Sequence, residues 1–479
     1  MRAFLRNTDN RIIIAVGVLF SILNVVFIVT ENFWGLLLPF MLALFAFIVL
    51  SLDKAVLFLV FATPLSVFYY NEEMRVGFSI PTEPILFGIT LLFILKLMYQ
   101  GTFDLKVVKH PLSLAILFNL MWMVMTTITS EMPLVSVKYV IARIWFLSVF
   151  FYLMSQIFRD RRKITVFFWL FMVTLSVAAV YTLYMHYQFD FTRQAGTWVM
   201  FPFFKEHTVY GAILSMYIPI AFAFAFLYKH SLNLKIAAFV IFSLLMVAVI
   251  FSFTRAAWVS LAVSVVAMLL IVFKVRREIL FLLGAAGVAF LISTGDDLMS
   301  RFEKNDQVSS DNLTEHVESI SNISSDVSNL ERINRWKSAF RMFKERPVMG
   351  FGPGTYMFQY AAYQKPSEKT IISTNAGDLG NAHSEYIGPL AESGILGMLS
   401  VLVIVLITMV TGIRVYYGLE DSNLKIIALA SLMGLIGYWT HGFLNNFLDM
   451  DKAACPVWGF SALLVILDRY YIKKSDSKD

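Results

Sequence analysis

Apolar runs of about twenty residues recur along almost the whole chain and are parted by short polar loops. A helix needs about 20 mainly apolar residues to cross a bilayer, so each run reads as a spanning helix. The pattern predicts spans near 11–30, 33–52, 55–71, 83–99, 111–129, 138–158, 164–186, 208–228, 235–254, 256–273, 279–294, 386–413, 424–441 and 455–472. One interval, 295–385, breaks the rhythm and is too long and polar to join neighbouring helices directly. The expected fold is therefore all-α: a polytopic integral membrane protein with about 12–14 transmembrane helices and one large, partly helical extramembrane loop. It divides into N-terminal helices (1–190), central helices (191–294), the loop (295–385) and C-terminal helices (386–479). The first run is followed at once by another, with no small-residue cleavage site, and is expected to remain in the mature protein.

Composition agrees: 58% of the 479 residues are hydrophobic, 15% are charged, and the mean hydropathy is +0.71. That excludes an ordinary soluble domain. The net charge of +6 is topological rather than a nucleic-acid signal, because alternate loops carry the basic residues. These are Arg2, Arg6 and Arg11; Lys96, Lys106 and Lys109; Arg159, Arg161, Arg162 and Lys163; Lys229 and Lys235; Lys274, Arg276 and Arg277; then Lys473, Lys474 and Lys478. Lysine and arginine near span ends stay in the cytoplasm. Threading fourteen spans on that rule puts both termini inside and the 295–385 loop outside. The single cysteine, Cys455, rules out an internal disulfide and argues against a cysteine metal site.

The first part of the loop, including 308–330, is rich in Ser, Asn and acidic residues and reads as a solvated segment. From Arg332 to Arg346 the pattern turns helical. Ile333, Trp336, Ala339, Phe340 and Phe343 share one arc at roughly 100° per residue, and Arg332 falls inside it. An inward-facing arginine requires an anionic partner. Pro347 ends this helix, and Gly350, Gly352 and Gly354 follow in PVMGFGPGTY. Such a run favours turns and close backbone approach, and no chemical role is assigned to it.

Where the loop meets the membrane again, the string NAHSEYIGPLAESGILG (residues 381–397) has His383 and Ser384, then nine residues, then Gly394 and Gly397. This resembles the His-containing signature of the O-antigen ligase and polymerase superfamily. Arg332, Trp336, Pro347 and the glycines that follow resemble the upstream part of the same family domain. Arg255 in TRAAW is similar to the family's Ser/Thr-plus-Arg pattern at the start of a span. Arg193 in RQAGT and His207 resemble the segment before that span. The first 180 residues or so share only hydrophobic helices with the family. Met398 and Leu399 follow Gly397 where ligases often carry small hydroxyl residues, so ligase and polymerase both stay open.

The resemblance implies a GT-C-like enzyme of the bacterial cytoplasmic (inner) membrane. Such enzymes move a glycan from an undecaprenyl-diphosphate-linked donor to a sugar hydroxyl on a glycan or lipid A-core acceptor, without metal or other cofactor. Threading alone brings Arg193, His207, Arg255, Arg332 and His383 to the outer face. Guanidinium forks suit a diphosphate whose charge grows as the anomeric bond breaks, which points to Arg255 and Arg332. A histidine has the reference pKa for general-base work at neutral pH, which points to His383 as the catalytic residue. Arg193, His207 and Glu385 rank second as substrate-binding residues, and membrane lipids complete the expected partners. A site at the interface between helices would admit a lipid tail sideways.

The sequence has no HExxH, no CxxC and no P-loop, which disfavours ATP-driven chemistry. The competing class is a transporter of lipid-linked glycans or small anions. Transporters tend to place ionisable residues and broken helices near the bilayer midplane, whereas the charges here gather at one face.

Overall fold

The computed structural model describes residues 10–31, 51–71, 76–101, 103–275, 327–370, 373 and 380–472. The chain divides into two units, Met1–Val56 and Leu57–Asp479. In the first lies helix α1 (Asn10–Val29), an almost wholly apolar segment. The expected spans at 33–52 and 279–294 and most of 308–330 fall outside the described residues.

Ten helices among the described residues are long and apolar enough to cross a membrane. They are α3 (Thr82–Tyr99), α4 (Pro111–Ile128), α5 (Pro133–Ile157), α6 (Arg161–Tyr187), α7 (His207–Leu227), α8 (Leu232–Phe251), α9 (Arg255–Val272), α11 (Ile387–Gly418), α12 (Ser422–His441) and α13 (Asp451–Tyr471). The protein is thus an all-α multi-pass membrane protein, and each of the ten coincides with a span read from hydropathy.

The run at 55–71 behaves differently. Helix α2 (Leu52–Ala62) passes into a single turn, Thr63–Leu65, and then into strand β1 (Val67–Asn71), which pairs antiparallel with β2 (Val76–Ile80). Pro64 lacks the N–H that a continuing helix requires, and the aromatic run Phe68–Tyr70 favours an extended chain. The carbonyls released at this break are satisfied from α13, where Lys452 Nζ donates to Thr63 O at 3.0 Å and to Ser66 O at 2.8 Å. Beside it, the Asp451 carboxylate accepts from Ser66 Oγ at 2.8 Å and Thr82 Oγ1 at 2.5 Å.

Helix α12 packs against α7, α9 and α11 and is mostly enclosed. Small residues permit this, because lipid supplies no hydrophobic drive between helices and close backbone contact must do so. A Cβ on Gly434 would lie 2.7 Å from Met216 O of α7, and one on Gly437 would lie 3.0 Å from Ser264 Oγ of α9. At the opposite end from the site described below, ion pairs tie the loops together. Arg159 meets Asp104 and Tyr470, Arg161 meets Asp421 at 2.6 Å, and Arg414 meets Asp468 at 2.7 Å.

The described part of the loop begins with helix α10 (Val327–Glu345). Its buried side carries Glu331, Asn334, Arg335, Ser338, Ala339 and Met342, while Phe340 is exposed. The buried stripe is therefore rotated from the apolar arc expected from the sequence, because polar side chains inside satisfy one another. Arg335 Nε donates to Glu331 Oε1 at 2.8 Å, and Asn334 Nδ2 donates to Gln364 Oε1 at 2.8 Å.

The glycine-rich run has an architectural task. Residues 347–356 lie across a break in α11 at Gly394 (φ 68°, ψ −166°), where helical bonding is interrupted. Phe351 N donates to Ala391 O at 3.1 Å, Gly352 N to Glu392 O at 2.8 Å and Ile395 N to Pro347 O at 3.0 Å, so loop backbone replaces the missing helical partners. A Cβ on Gly350 or Gly394 would lie under 3.0 Å from the opposing backbone, and both residues have positive φ. Gly394→Ala should therefore destabilise the fold by several kcal/mol, seen as loss of the monodisperse peak in size-exclusion chromatography. Gly388→Ala, which meets nothing nearer than 3.7 Å, should leave that peak intact.

Candidate functional site

Four helix ends meet above the bundle: the N-termini of α7, α9 and α11 and the C-terminus of α12. His207 opens α7 and Arg255 opens α9. Thr254 Oγ1 donates to His207 O at 2.9 Å and locks these two starts together. A helix N-terminus presents amide N–H groups and partial positive charge, so paired starts favour a bound anion.

His383 sits on the turn entering α11, with φ 47°. Its backbone N–H donates to Asn381 Oδ1 at 3.0 Å, a local bond that stabilises this left-handed conformation. Arg335 Nη1 donates to Asn381 O at 3.1 Å and holds the turn, and Asn445, just beyond α12, lies beside the His383 ring.

Arg332 is the electrostatic hub. Its charge acts on His207, Arg255, His383 and His441, and Arg193 acts on His207 and Arg255. All four first- and second-rank basic residues from the loops and helix starts, together with His383, therefore share one neighbourhood. Burial and the adjacent Arg335 push the Arg332 guanidinium down to about 10, with Glu206 acting in the opposite direction. Burial, then Arg335 and Arg332, push the His383 imidazole down to about 3, so it is neutral at physiological pH.

Glu385, expected to contact substrate, has a structural commitment. Its Oε1 accepts from Tyr438 Oη at 2.6 Å, Phe447 N at 2.7 Å and Leu448 N at 2.9 Å. It thereby fixes the segment that carries Asn445 to His383. Two members escaped the sequence reading, Arg335 and Asn445, while His441 was placed on the outer face but not ranked. Arg335 stands one turn after Arg332, so helical spacing was the available signal. His441 and Asn445 lie in a string with no recognisable pattern, although their spacing of four residues lets His441 Nδ1 and Asn445 Nδ2 approach to 3.4 Å. Among the described residues, no group of three or more His, Cys, Asp or Glu side chains converges as a metal site.

The arrangement combines a cationic seat for an oxyanion with a neutral imidazole beside it. Residues 237–402 match the family model described as O-Antigen ligase. The matched stretch contains Arg255, Arg332 and His383, whereas Arg193, His207 and His441 lie outside it. Among curated proteins no sequence matches the chain.

Proposed function

We infer from the O-antigen ligase domain carried in residues 237–402 that the protein is a multi-pass membrane enzyme of the O-antigen ligase and polymerase superfamily. We propose that it transfers a glycan from undecaprenyl diphosphate to an acceptor sugar hydroxyl at the outer face of the cytoplasmic membrane. The observation that carries this reading is the gathering of Arg193, Arg255 and Arg332 at one set of helix ends, with the charge of Arg332 reaching His383. The basic loops around Arg159 to Lys163, Lys229 and Lys274 lie at the opposite helix ends, which supports an outward-facing site.

In the proposed step the acceptor oxygen bonds to the anomeric carbon as the bond from that carbon to the diphosphate oxygen breaks. The electron pair leaves with undecaprenyl diphosphate, and the hydroxyl proton goes to the His383 imidazole. Arg255 and Arg332 hold the leaving diphosphate, whose charge grows along the reaction, so their attraction strengthens toward the transition state. An in-line displacement inverts the anomeric configuration. A neutral imidazole is ready to accept a proton, and a docked diphosphate counters the arginine charge that depresses its basicity.

The test is a transfer assay with purified protein in nanodiscs, offered an undecaprenyl-diphosphate glycan with either a lipid A-core or a second repeat unit. Covalent product is expected, and the acceptor used separates ligase from polymerase. Movement of intact donor across sealed vesicles, without product from either acceptor, would replace this reading with transport.

A further inference from the structure

The residues that flank His383, Ala382 and Ser384, line a separate cavity of roughly 150 Å³. Neither His383 nor any arginine of the basic cluster lines it, so one turn of chain separates two chemically different spaces. The cavity brings Glu385, Glu392 and Asp449 together with Arg143 and Tyr139 of α5. Arg143 is itself buried and donates to Tyr139 Oη at 3.1 Å.

Three polar atoms around this space point to a missing ligand. The indole nitrogens of Trp439 and Trp458 and the side-chain oxygen of Asn446 are buried and have no hydrogen-bond partner among the described residues. Trp439 and Trp458 are only 3% and 2% exposed. Buried donors and acceptors are almost always satisfied, so orphaned ones lining a polar cavity mark where another molecule's hydroxyls belong. Carboxyl groups, an arginine and indole rings are also what a sugar ring requires: acceptors for its hydroxyls, donors for its oxygens and flat apolar faces for its C–H surface.

The cavity has an approach as well. At Tyr139, Gly354, Met357 and Asp449 it adjoins a groove of about 910 Å³. The groove is walled by apolar side chains such as Phe87, Ile141 and Trp145, with Lys138 and Lys205 beside them. An amphiphilic molecule fits such a path, its sugar in the polar end.

We propose that the cavity beside the His383 turn is an acceptor subsite that takes an uncharged sugar ring, with the acceptor's reacting hydroxyl reaching past the turn to His383. Burial already pushes the Glu385 and Asp449 carboxyls above their ordinary range, so the space disfavours a further negative charge and turns away an acidic sugar, whereas the arginine cluster attracts the donor's diphosphate. The two substrates are thereby sorted by charge to opposite flanks of His383. This assignment rests on the transfer reading above, and it deepens that reading by naming the acceptor's class.

Saturation-transfer NMR on the full-length protein in nanodiscs, without donor, tests it. The probes are the methyl glycosides of glucose, galactose and N-acetylglucosamine, with methyl glucuronide as the acidic counterpart. At least one neutral glycoside should bind saturably and ten-fold or more tighter than the glucuronide. Trp458→Phe, which keeps an aromatic face but removes the N–H, should weaken that binding at least five-fold. Asp449→Asn should narrow the gap between neutral and acidic rings. Both variants should bind undecaprenyl diphosphate within two-fold of wild type. Absence of binding by all neutral glycosides, equal binding of the glucuronide, or loss of diphosphate binding in either variant would overturn the assignment. A protein that binds neutral glycosides but transfers nothing keeps the sugar site and loses the transferase reading. One that transfers glycan with acceptor KM unchanged in both variants loses the subsite alone.

Discussion

Arg332→Ala is expected to weaken binding of undecaprenyl diphosphate by about a hundredfold. A hydrogen bond to a charged group contributes about 1.5–3 kcal/mol, and a two-pronged guanidinium contact reaches the upper end of that range, where 1.4 kcal/mol is tenfold. The position supports a large value. Arg332 lies where its charge reaches His207, Arg255, His383 and His441, and its partial burial limits the water that would screen it. Its guanidinium, pushed down to about 10, still carries its proton at neutral pH, at a cost that an incoming dianion offsets. Arg332→Lys should fall between wild type and the alanine variant in affinity, because a lysine supplies charge without the planar fork. Isothermal titration in detergent measures all three. A fall of less than threefold for the alanine variant would remove Arg332 from the donor site.

His383→Gln is expected to lower kcat by about 10²–10⁴, the usual contribution of a positioned general base, while donor affinity changes little. Glutamine keeps a hydrogen-bonding side chain on the turn but cannot take up the proton. The same histidine sets a stability window. Its folded pKa is depressed from 6.5 to about 3, so between those values the unfolded chain binds a proton that the folded His383 refuses. Stability from this group is complete above about pH 6.5 and declines as pH falls toward 3. Melting temperature in the absence of donor should therefore drop between pH 7 and 5, and less steeply in His383→Gln. Bound donor should flatten the wild-type curve too, because its negative charge raises the imidazole's affinity for a proton.

How far the sequence reaches depends on the range of the signal. Bilayer-spanning helices are written in twenty-residue averages, so α3 to α9 and α11 to α13 were all legible. The run at 55–71 misled because hydropathy does not distinguish an apolar strand from a helix, and Pro64 with Phe68–Tyr70 was the local evidence that mattered. The positions of Arg193, His207, Arg255, Arg332 and His383 followed from threading plus the family signature, and the structure brings them together. What could not be read was pairing across long sequence separations. The stripe of α10 that turns inward depends on Gln364 accepting from Asn334. The hold on the His383 turn depends on Arg335, which donates to Asn381 O. The glycines at 350 to 354 follow no phosphate-binding logic, because what they approach is the backbone of α11 some forty residues later.

The claim at the centre of this account is that proton removal by His383 drives transfer from a diphosphate held by the arginines. Single-turnover transfer by wild type and His383→Gln, each saturated with undecaprenyl-diphosphate glycan before acceptor is added, tests it most directly. The account predicts equal donor occupancy and a transfer rate at least a hundredfold slower in the variant, with the product of inverted anomeric configuration in wild type. A variant that transfers at the wild-type rate with donor fully bound, or a wild-type product that retains the donor's configuration, would contradict it.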